Sequence, residues 1–128
     1  MNEIKDLIGL HINRAMYNGT NIFLDTDQGI VMLEPYGQCC AYCFIQHVSI
    51  AYALINSDII SVKDITFFQP IDALFSNQTI EVWGHSIDTT KGSCTIEMRV
   101  EHNGYYGGSL NVSFVEKIPQ DSKPLEDF

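Results

Sequence analysis

The chain has 128 residues, of which 16 are acidic and 7 are Lys or Arg, so its formal net charge is −9. This length suits one domain and is sufficient to bury a core without metal ions or disulfides. The negative charge disfavours binding to nucleic acid polymers and anionic membranes, and no apolar run is long enough to span a bilayer.

The N-terminal segment lacks the features of a secretory signal, because Glu3 and Asp6 stand where positive charge is required. We therefore expect a cytoplasmic protein with reduced thiols. Its cysteines are Cys39, Cys40, Cys43 and Cys94. The C-x-x-C pair could be half of a zinc site, but no second pair completes it. We expect small buried hydrophobes, with no metal and no cofactor.

The first half of the chain predicts a short helical turn followed by strands. Residues 2–9 could form one turn of helix, and three extended runs follow, separated by Asn18-Gly19 and by the turn at 27–29. This pattern is typical of a three-stranded meander that ends at Pro35 and Gly37. Residues 44–56 have apolar side chains at helical spacing, which predicts a helix.

The second half predicts further strands. Residues 59–68 and 79–87 are rich in β-branched residues, and 69–78 has no clear assignment. The resulting fold class is α+β, mainly an antiparallel sheet with one central helix. Residues 1–118 would form a single β-rich domain. The tail, 119–128, has two prolines and no periodicity, so we expect a loose end or an arm onto a neighbouring subunit.

Residues 89–114 read as a hairpin with one apolar and one polar face. Apolar side chains alternate with polar ones before and after the tip, and the apolar set should meet the core. Its members are Ile96, Met98, Val100, Leu110, Val112 and Phe114.

The tip of this predicted hairpin, "HNGYYGG", is longer than a tight turn requires. Asn103 and Gly104 could close the turn alone. Since neighbouring strand residues point to opposite faces, Tyr105 and Tyr106 cannot both enter the core. The exposed ring could stack on a nucleobase or a sugar beside flexible backbone amides. Alternatively, it covers the sheet edge or a dimer interface.

Two basic residues lie near this hairpin in an otherwise acidic chain. Arg99 stands on its polar face and Lys91 in the preceding turn, and Arg14 on the first strand is a third candidate. Together they could hold a phosphate. The alternative for Arg99 is an exposed cross-strand salt bridge, for example with Glu97 or Glu101 of a neighbouring chain, which would contribute little to stability.

Motifs of catalysis are absent from the sequence. It contains no dinucleotide-binding, P-loop, zinc-protease or nucleophile-elbow pattern, and each of the 4 histidines stands alone. No nucleophile has a positioned base beside it in the chain. We therefore expect no enzymatic activity and no catalytic residues.

Three blocks of the sequence resemble a family of small domains of unknown function from phages and Firmicute genomes. They are "LIGLHINRAMYNGTNIFLDTDQG", "QCC" and "TTKGSCTIEMRVEHNGYYGGSLNV", and they span residues 7–112. The last block is the most specific. The chain departs from the family by having "AYCFIQH" where members have acidic residues, and "VSIAYALIN" where they have an acidic helix.

The family pattern is similar to that of phage Thoeris anti-defence proteins of the first type, which bind cyclic ADP-ribose isomers without cleaving them. The resemblance implies a non-enzymatic homodimer or higher homo-oligomer that sequesters a small cyclic nucleotide in the cytoplasm of a phage host. The candidate ligand-binding residues are Arg14, Lys91, Arg99, Asn103, Gly104, Tyr105 and Tyr106. The alternative is an acidic interaction module that inhibits a host defence protein.

Overall fold

The computed structural model describes residues 1–39, 41–66, 71–72, 79–102 and 107–128. Two 3₁₀ turns, η1 (Ile4–Leu7) and η2 (Ala51–Leu54), are its helical elements. The strands are β1 (His11–Tyr17), β2 (Ile22–Thr26), β3 (Gly29–Gly37), β4 (Tyr42–Ser49), β5 (Ser57–Thr66), β6 (Ile71–Asp72), β7 (Thr79–Thr89), β8 (Gly92–His102), β9 (Gly108–Val115) and β10 (Lys123–Pro124). The predicted α+β class with a central helix is therefore wrong, and the protein is mostly antiparallel β-sheet.

The strands follow the order β4-β8-β7-β5-β1-β2-β3-β9, with β6 on β7 and β10 on β1. The β1–β5 pairing is short, His11 with Asp58 and Ile12 with Ser57. It joins sheet one (β1, β2, β3, β9 and β10) to sheet two (β4 to β8). The predicted meander β1-β2-β3 is confirmed.

One hydrophobic core lies between the two sheets. Leu24, Leu33 and Val112 of sheet one and Ile96 and Met98 of sheet two are buried in the same cluster. Burying each such side chain contributes about 1.5–3 kcal/mol relative to exposure. The predicted apolar face of β8 is confirmed.

Phe114 does not join this core, although its place in the alternation predicted that it would. Its side chain is 49% exposed at the end of β9, where it lies against Gly29 in the β2–β3 turn. The alternation places Phe114 on the inner face, but the core does not extend to the end of this edge strand.

The predicted helix of residues 44–56 is wrong, because this segment contains most of strand β4, which has a β-bulge, and the turn η2. The register of β4 on β8 shifts between Ile45 and His47, which inserts one extra residue. Ile45 and Val48 therefore both point to the core although they are three residues apart, whereas Phe44, which the helical spacing placed with Val48, lies on the opposite face of β4. After β4, Ile50 adopts a left-handed backbone conformation, with φ 60°, and leads into η2.

The predicted hairpin of residues 89–114 is also wrong in its pairing. β8 pairs with β4 and β7, whereas β9 pairs with β3. The connection between β8 and β9 therefore crosses from sheet two to sheet one. Alternation shows which face of a strand is buried, but it does not identify the neighbouring strand.

The β3–β4 connection also crosses between the two sheets, and it lies beside the β8–β9 connection. The backbone N–H of Gln38 donates to the carbonyl of Gly107 at 3.0 Å, and the N–H of Gly107 donates to Oε1 of Gln38 at 3.2 Å. These bonds tie the two crossings together.

The two end strands of the sheet order, β4 and β9, meet at this end of the molecule, and we call their contact the seam. The Cys43 thiol of β4 donates to the carbonyl of Ser109 in β9 at 3.8 Å. A Cβ atom on Gly108 would lie 2.8 Å from the Cys43 Sγ and 3.0 Å from Cγ2 of Val100. The seam therefore requires glycine at position 108 for this close approach.

The C-terminal residues pack on their own chain, so the predicted loose end or arm is wrong. Strand β10 pairs with β1, and Leu125 is buried. The backbone of Phe128 exchanges two hydrogen bonds with Val48 of β4, and its ring stacks on Tyr17 at 5.0 Å. Whether residues 1–118 fold as a domain without this segment stays a prediction.

The Asp127 carboxylate accepts hydrogen bonds from the backbone N–H groups of Ile50 and Ala51, at 3.0 and 2.7 Å. It thereby caps the start of η2, where those donors have no partner within the turn. In the part of the chain that the structure describes, no helix has the length and apolar character needed to cross a membrane.

Candidate functional site

A cavity of about 630 Å³ opens between the two sheets on the inner side of β7. Its walls are residues 2–5 at η1, Asp64 of β5, Glu81, Trp83 and His85 of β7, and residues 108–111 of β9. Small-molecule sites in proteins commonly have volumes of roughly 300–1,000 Å³. The cavity is therefore large enough to hold a ligand of nucleoside or nucleotide size.

The polar wall of the cavity is the continuation of the buried face of sheet two. Glu81, Trp83 and His85 occupy alternate positions of β7, so their side chains share the face that carries buried Ile87 further along. The inner face of β7 thus changes from apolar to polar as it leaves the core. A polar inner face is costly unless its groups are paired, and here two histidine–carboxylate pairs meet that need.

The first pair is His85 with Asp64. The two residues are opposite each other in the β5–β7 register, and His85 Nδ1 lies 3.0 Å from Oδ1 of Asp64. The His85 side chain is 12% exposed, against 66% for Asp64. Burial lowers the pKa of His85, and this effect outweighs the opposing influence of Asp64. His85 is therefore neutral near pH 7.

The second pair is His102 with Glu81. His102 is buried at the end of β8, and its Nε2 lies 3.2 Å from Oε1 of Glu81. Trp83 stands between the two pairs on β7. Its ring meets that of His85 edge to face, with centroids 5.5 Å apart and an interplanar angle of 81°. Trp83 is the only tryptophan of the chain.

The charges around the cavity are mainly negative. Glu3, Asp64 and Glu81 line it together with one cation, Lys5, whose Nζ lies 3.9 Å from Oδ2 of Asp64. The interior therefore does not suit a multiply charged phosphate. It suits an aromatic ring whose edge carries hydrogen-bond donors, because carboxylates and a neutral imidazole nitrogen are acceptors.

The structure does not bring the three predicted basic residues together, and none of them lines the cavity. Arg14 Nε is 3.1 Å from a carboxylate oxygen of Asp25. Lys91 Nζ donates a hydrogen bond to the backbone carbonyl of Ile55, the residue that directly follows η2. Arg99 lies on the outer face of β8, with Nη2 3.2 Å from Glu101. Lys91 lies in the turn before β8 and Arg99 eight residues further along the chain, roughly 27 Å away by strand geometry.

Four predicted ligand-binding residues, Asn103, Gly104, Tyr105 and Tyr106, lie outside the described residues. The described chain on either side is at the cavity: His102 contacts Glu81, and Gly108 forms part of the wall. The predicted ligand-binding role of these four residues stays a prediction.

The ligand-binding residues predicted from the sequence do not include Asp64, Trp83 or His85. The partner of His85 comes from another strand, 21 residues earlier, so the histidine looked isolated. One sequence pattern could have indicated this site. Glu81, Trp83 and His85 occupy alternate positions of one strand, and an inner strand face with only a structural role would carry apolar residues there.

The cysteines have different environments. Cys94 is buried as predicted, and burial raises its pKa to about 12, so its thiol is protonated. Burial also raises the pKa of half-buried Cys43, whereas Cys39 is exposed, contrary to prediction. Cys40 is outside the described residues. Among the residues that the structure describes, no three His, Cys, Asp or Glu side chains converge as metal ligands.

Comparisons with known proteins give one match. No curated protein and no solved structure matches the chain. The model of a domain of unknown function, DUF7448, matches residues 5–112, which include the β5, β7 and β9 walls of the cavity. The expected membership of a family of unknown function is thus confirmed, while phage origin and the Thoeris relation stay predictions. The chain belongs to the DUF7448 family.

Proposed function

We propose that the protein binds a small ligand with a flat heteroaromatic ring in the cavity between its sheets and holds it without chemical change. The observation that carries this proposal is the position of Trp83. It is an indole in the wall of a ligand-sized cavity, with a histidine–carboxylate pair on each side along β7. Stacking of a base on an aromatic side chain contributes about 1–3 kcal/mol.

The polar groups of the wall would determine how the ring is oriented. Asp64 and Glu81 each have one oxygen within hydrogen-bond distance of a histidine, and the second oxygen of Asp64 lies 3.9 Å from Nζ of Lys5, so both carboxylates keep some acceptor capacity. On the opposite wall the Ser109 hydroxyl donates to Oδ1 of Asn111 at 3.0 Å, which leaves the Asn111 amide nitrogen as a donor. The lining of this cavity is more polar than the mostly apolar lining that is usual for small-molecule sites, so hydrogen bonds would orient the ring in addition to stacking.

A cyclic nucleotide or cyclic ADP-ribose isomer, bound as a sequestered signal in phage anti-defence, is the specific ligand that the sequence resemblance favours. In this cavity the base would lie inside, and the phosphates would have to remain at the mouth beside exposed Lys5. The surrounding carboxylates make the phosphates the unfavourable part of such a ligand. Uncharged nucleosides are therefore the first compounds to test.

The Asp64–His85 pair supports one competing function. A neutral histidine whose Nδ1 is held by a carboxylate can take a proton from water at Nε2, as a general base does. Hydrolysis of the ligand is thus the alternative to storage. Recovery of the ligand after heat release distinguishes the two, since a stored ligand is chemically intact.

The experiment is isothermal calorimetry with adenosine, its 3′,5′-cyclic phosphate and cyclic ADP-ribose. At least one should bind, and Trp83→Leu should weaken that binding about tenfold or more. Trp83→Phe should retain part of it. Arg99→Ala is the matched control, because Arg99 lies on the outer face, and it should bind as wild type does.

Two results would reject the proposal. One is that no compound of the panel binds or raises the melting temperature. The other is that folded Trp83→Leu, verified by circular dichroism, binds as tightly as wild type. Loss of binding in Arg99→Ala alone would instead support the site predicted from the sequence.

A further inference from the structure

We propose that His85 selects the ligand: its unprotonated Nε2 accepts a hydrogen bond from an N–H or O–H group of the ligand, and protonation of His85 releases the ligand. This inference rests on the proposed function, because it assigns specificity and regulation to a residue of the same cavity. It extends that function by defining which ligand edge is recognised and at which pH the ligand is held.

The tautomer of His85 follows from its partner. An ionised carboxylate can only accept, so the contact of 3.0 Å with Asp64 requires a proton on Nδ1 of His85. In the neutral ring Nε2 then carries a lone pair. The antiparallel register of β5 and β7 places Asp64 opposite His85 and so maintains this arrangement.

The described part of the chain leaves the acceptor at Nε2 of His85 without a hydrogen-bond donor. No residue within the described ranges hydrogen-bonds to Nε2 of His85, although the side chain is mostly buried and lines the cavity. The edge-to-face contact with Trp83 restricts the orientation of the imidazole. A ring stacked on Trp83 would therefore have its edge within reach of a fixed acceptor.

The groups around His85 determine when it becomes charged. Burial lowers its pKa most strongly and Lys5 lowers it further, whereas Asp64 raises it through its hydrogen bond and charge. On β8 the residue opposite is Ile96, and residues 108–111 of β9 have no ionisable side chain. Among the described residues, the ionisable groups that line the cavity around His85 are Glu3, Lys5, Asp64 and Glu81, and His102 contacts Glu81.

Protonation changes the hydrogen-bonding character of His85. With both nitrogens protonated, the ring has only donors. A donor on the ligand then faces a donor on the protein, and a buried polar group loses its partner. Such a loss weakens binding by about tenfold or more.

The protonation itself can be measured without any ligand. Trp83 is the only indole, and a protonated imidazole in contact with an indole quenches its fluorescence. Wild type should lose Trp83 fluorescence on acidification, with a midpoint below about 6.5, the ordinary pKa of histidine. His85→Gln should lack this transition, and His47→Gln, which changes an exposed histidine on β4, should retain it.

The probe for binding is adenosine, titrated by calorimetry at about pH 7.5 and at one unit below the fluorescence midpoint. Wild type should bind at least about tenfold more weakly at the lower pH. His85→Gln keeps an acceptor that does not titrate, so its affinity should be the same at both pH values. His85→Phe, which has no acceptor, should bind weakly at both.

The outcomes separate this inference from the function on which it rests. If adenosine does not bind at about pH 7.5, the proposed function fails for this ligand class, and the inference fails with it. If adenosine binds equally, or more tightly, after His85 is protonated, the cavity binds a ring but only the assignment to His85 is overturned. A pH-dependent affinity that persists in His85→Gln also overturns the assignment.

Discussion

Replacing Gly108 by alanine tests the seam between the two end strands. The new methyl carbon would lie 2.8 Å from Sγ of Cys43 and 3.0 Å from Cγ2 of Val100. Ordinary contacts between such atoms are about 3.5–4.0 Å, so either β9 or these side chains must move by about 0.7 Å. We therefore expect Gly108→Ala to strain the contact on which the seam depends.

The magnitude follows from two opposing effects. Overpacking of this kind typically costs about 1–3 kcal/mol. Glycine-to-alanine replacement also restricts the unfolded chain, which returns about 0.4–1 kcal/mol. The net loss should be about 1–2 kcal/mol, or roughly 4–8 °C in melting temperature for a chain of this size.

Gly107→Ala is the matched control, because a Cβ at that position meets no atom within 4 Å. Thermal and urea unfolding of both variants should show a loss for Gly108→Ala alone. Adding Cys43→Ala should recover part of it, and a double-mutant cycle would give the coupling energy. If Gly108→Ala is as stable as Gly107→Ala, the strands do not meet here and the seam is wrong.

Three further predictions concern the core, the outer face and the C-terminal segment. Met98→Asp buries an unpaired charge and should unfold the protein. Thr95→Asp, on the opposite face of β8, should remain folded, and circular dichroism distinguishes the two variants. A Met98→Asp protein that melts normally would mean that the faces of β8 are reversed. Hydrogen bonding by Ser61 holds the pKa of Asp88 at about 2, below the ordinary 3.8. That stabilisation is present above about pH 4 and is lost as pH falls toward 2, so Ser61→Ala should reduce the drop in urea midpoint over this range. Asp127→Ala should cost about 1 kcal/mol by removing the acceptor for two N–H groups of η2, and an unchanged urea midpoint would contradict this role.

The sequence predicted those elements that depend on local signals. Asn18-Gly19 and the turn at 27–29 closed the meander as expected, and alternation along β8 identified its buried face. The prediction of a helix over 44–56 failed because its apolar residues belong to a bulged strand and a 3₁₀ turn, and Phe44 and Val48 lie on opposite faces of β4. A one-residue bulge leaves no clear mark in a single sequence.

The remaining errors arise from long-range pairing. β8 and β9 are neighbours in the chain and, apart from Phe114, their buried residues alternate as predicted, yet they belong to different sheets. The site has the same origin, since His85 gains its carboxylate only through the register of β5 on β7. The local sequence indicates which face of each strand is buried. Which strands pair with each other depends on contacts between residues that are far apart in the chain.

The pairing of β3 with β9 has a consequence for how the chain acquires its structure. Ile30 lies opposite Val115, 85 residues later. During synthesis the meander β1-β2-β3 emerges first, and the outer edge of β3 must wait for the last long strand to leave the ribosome. An unpaired strand edge is a template for association with other nascent chains. Pro35 in β3 has no backbone N–H to donate, so this edge is a weaker template at that position until β9 pairs with it.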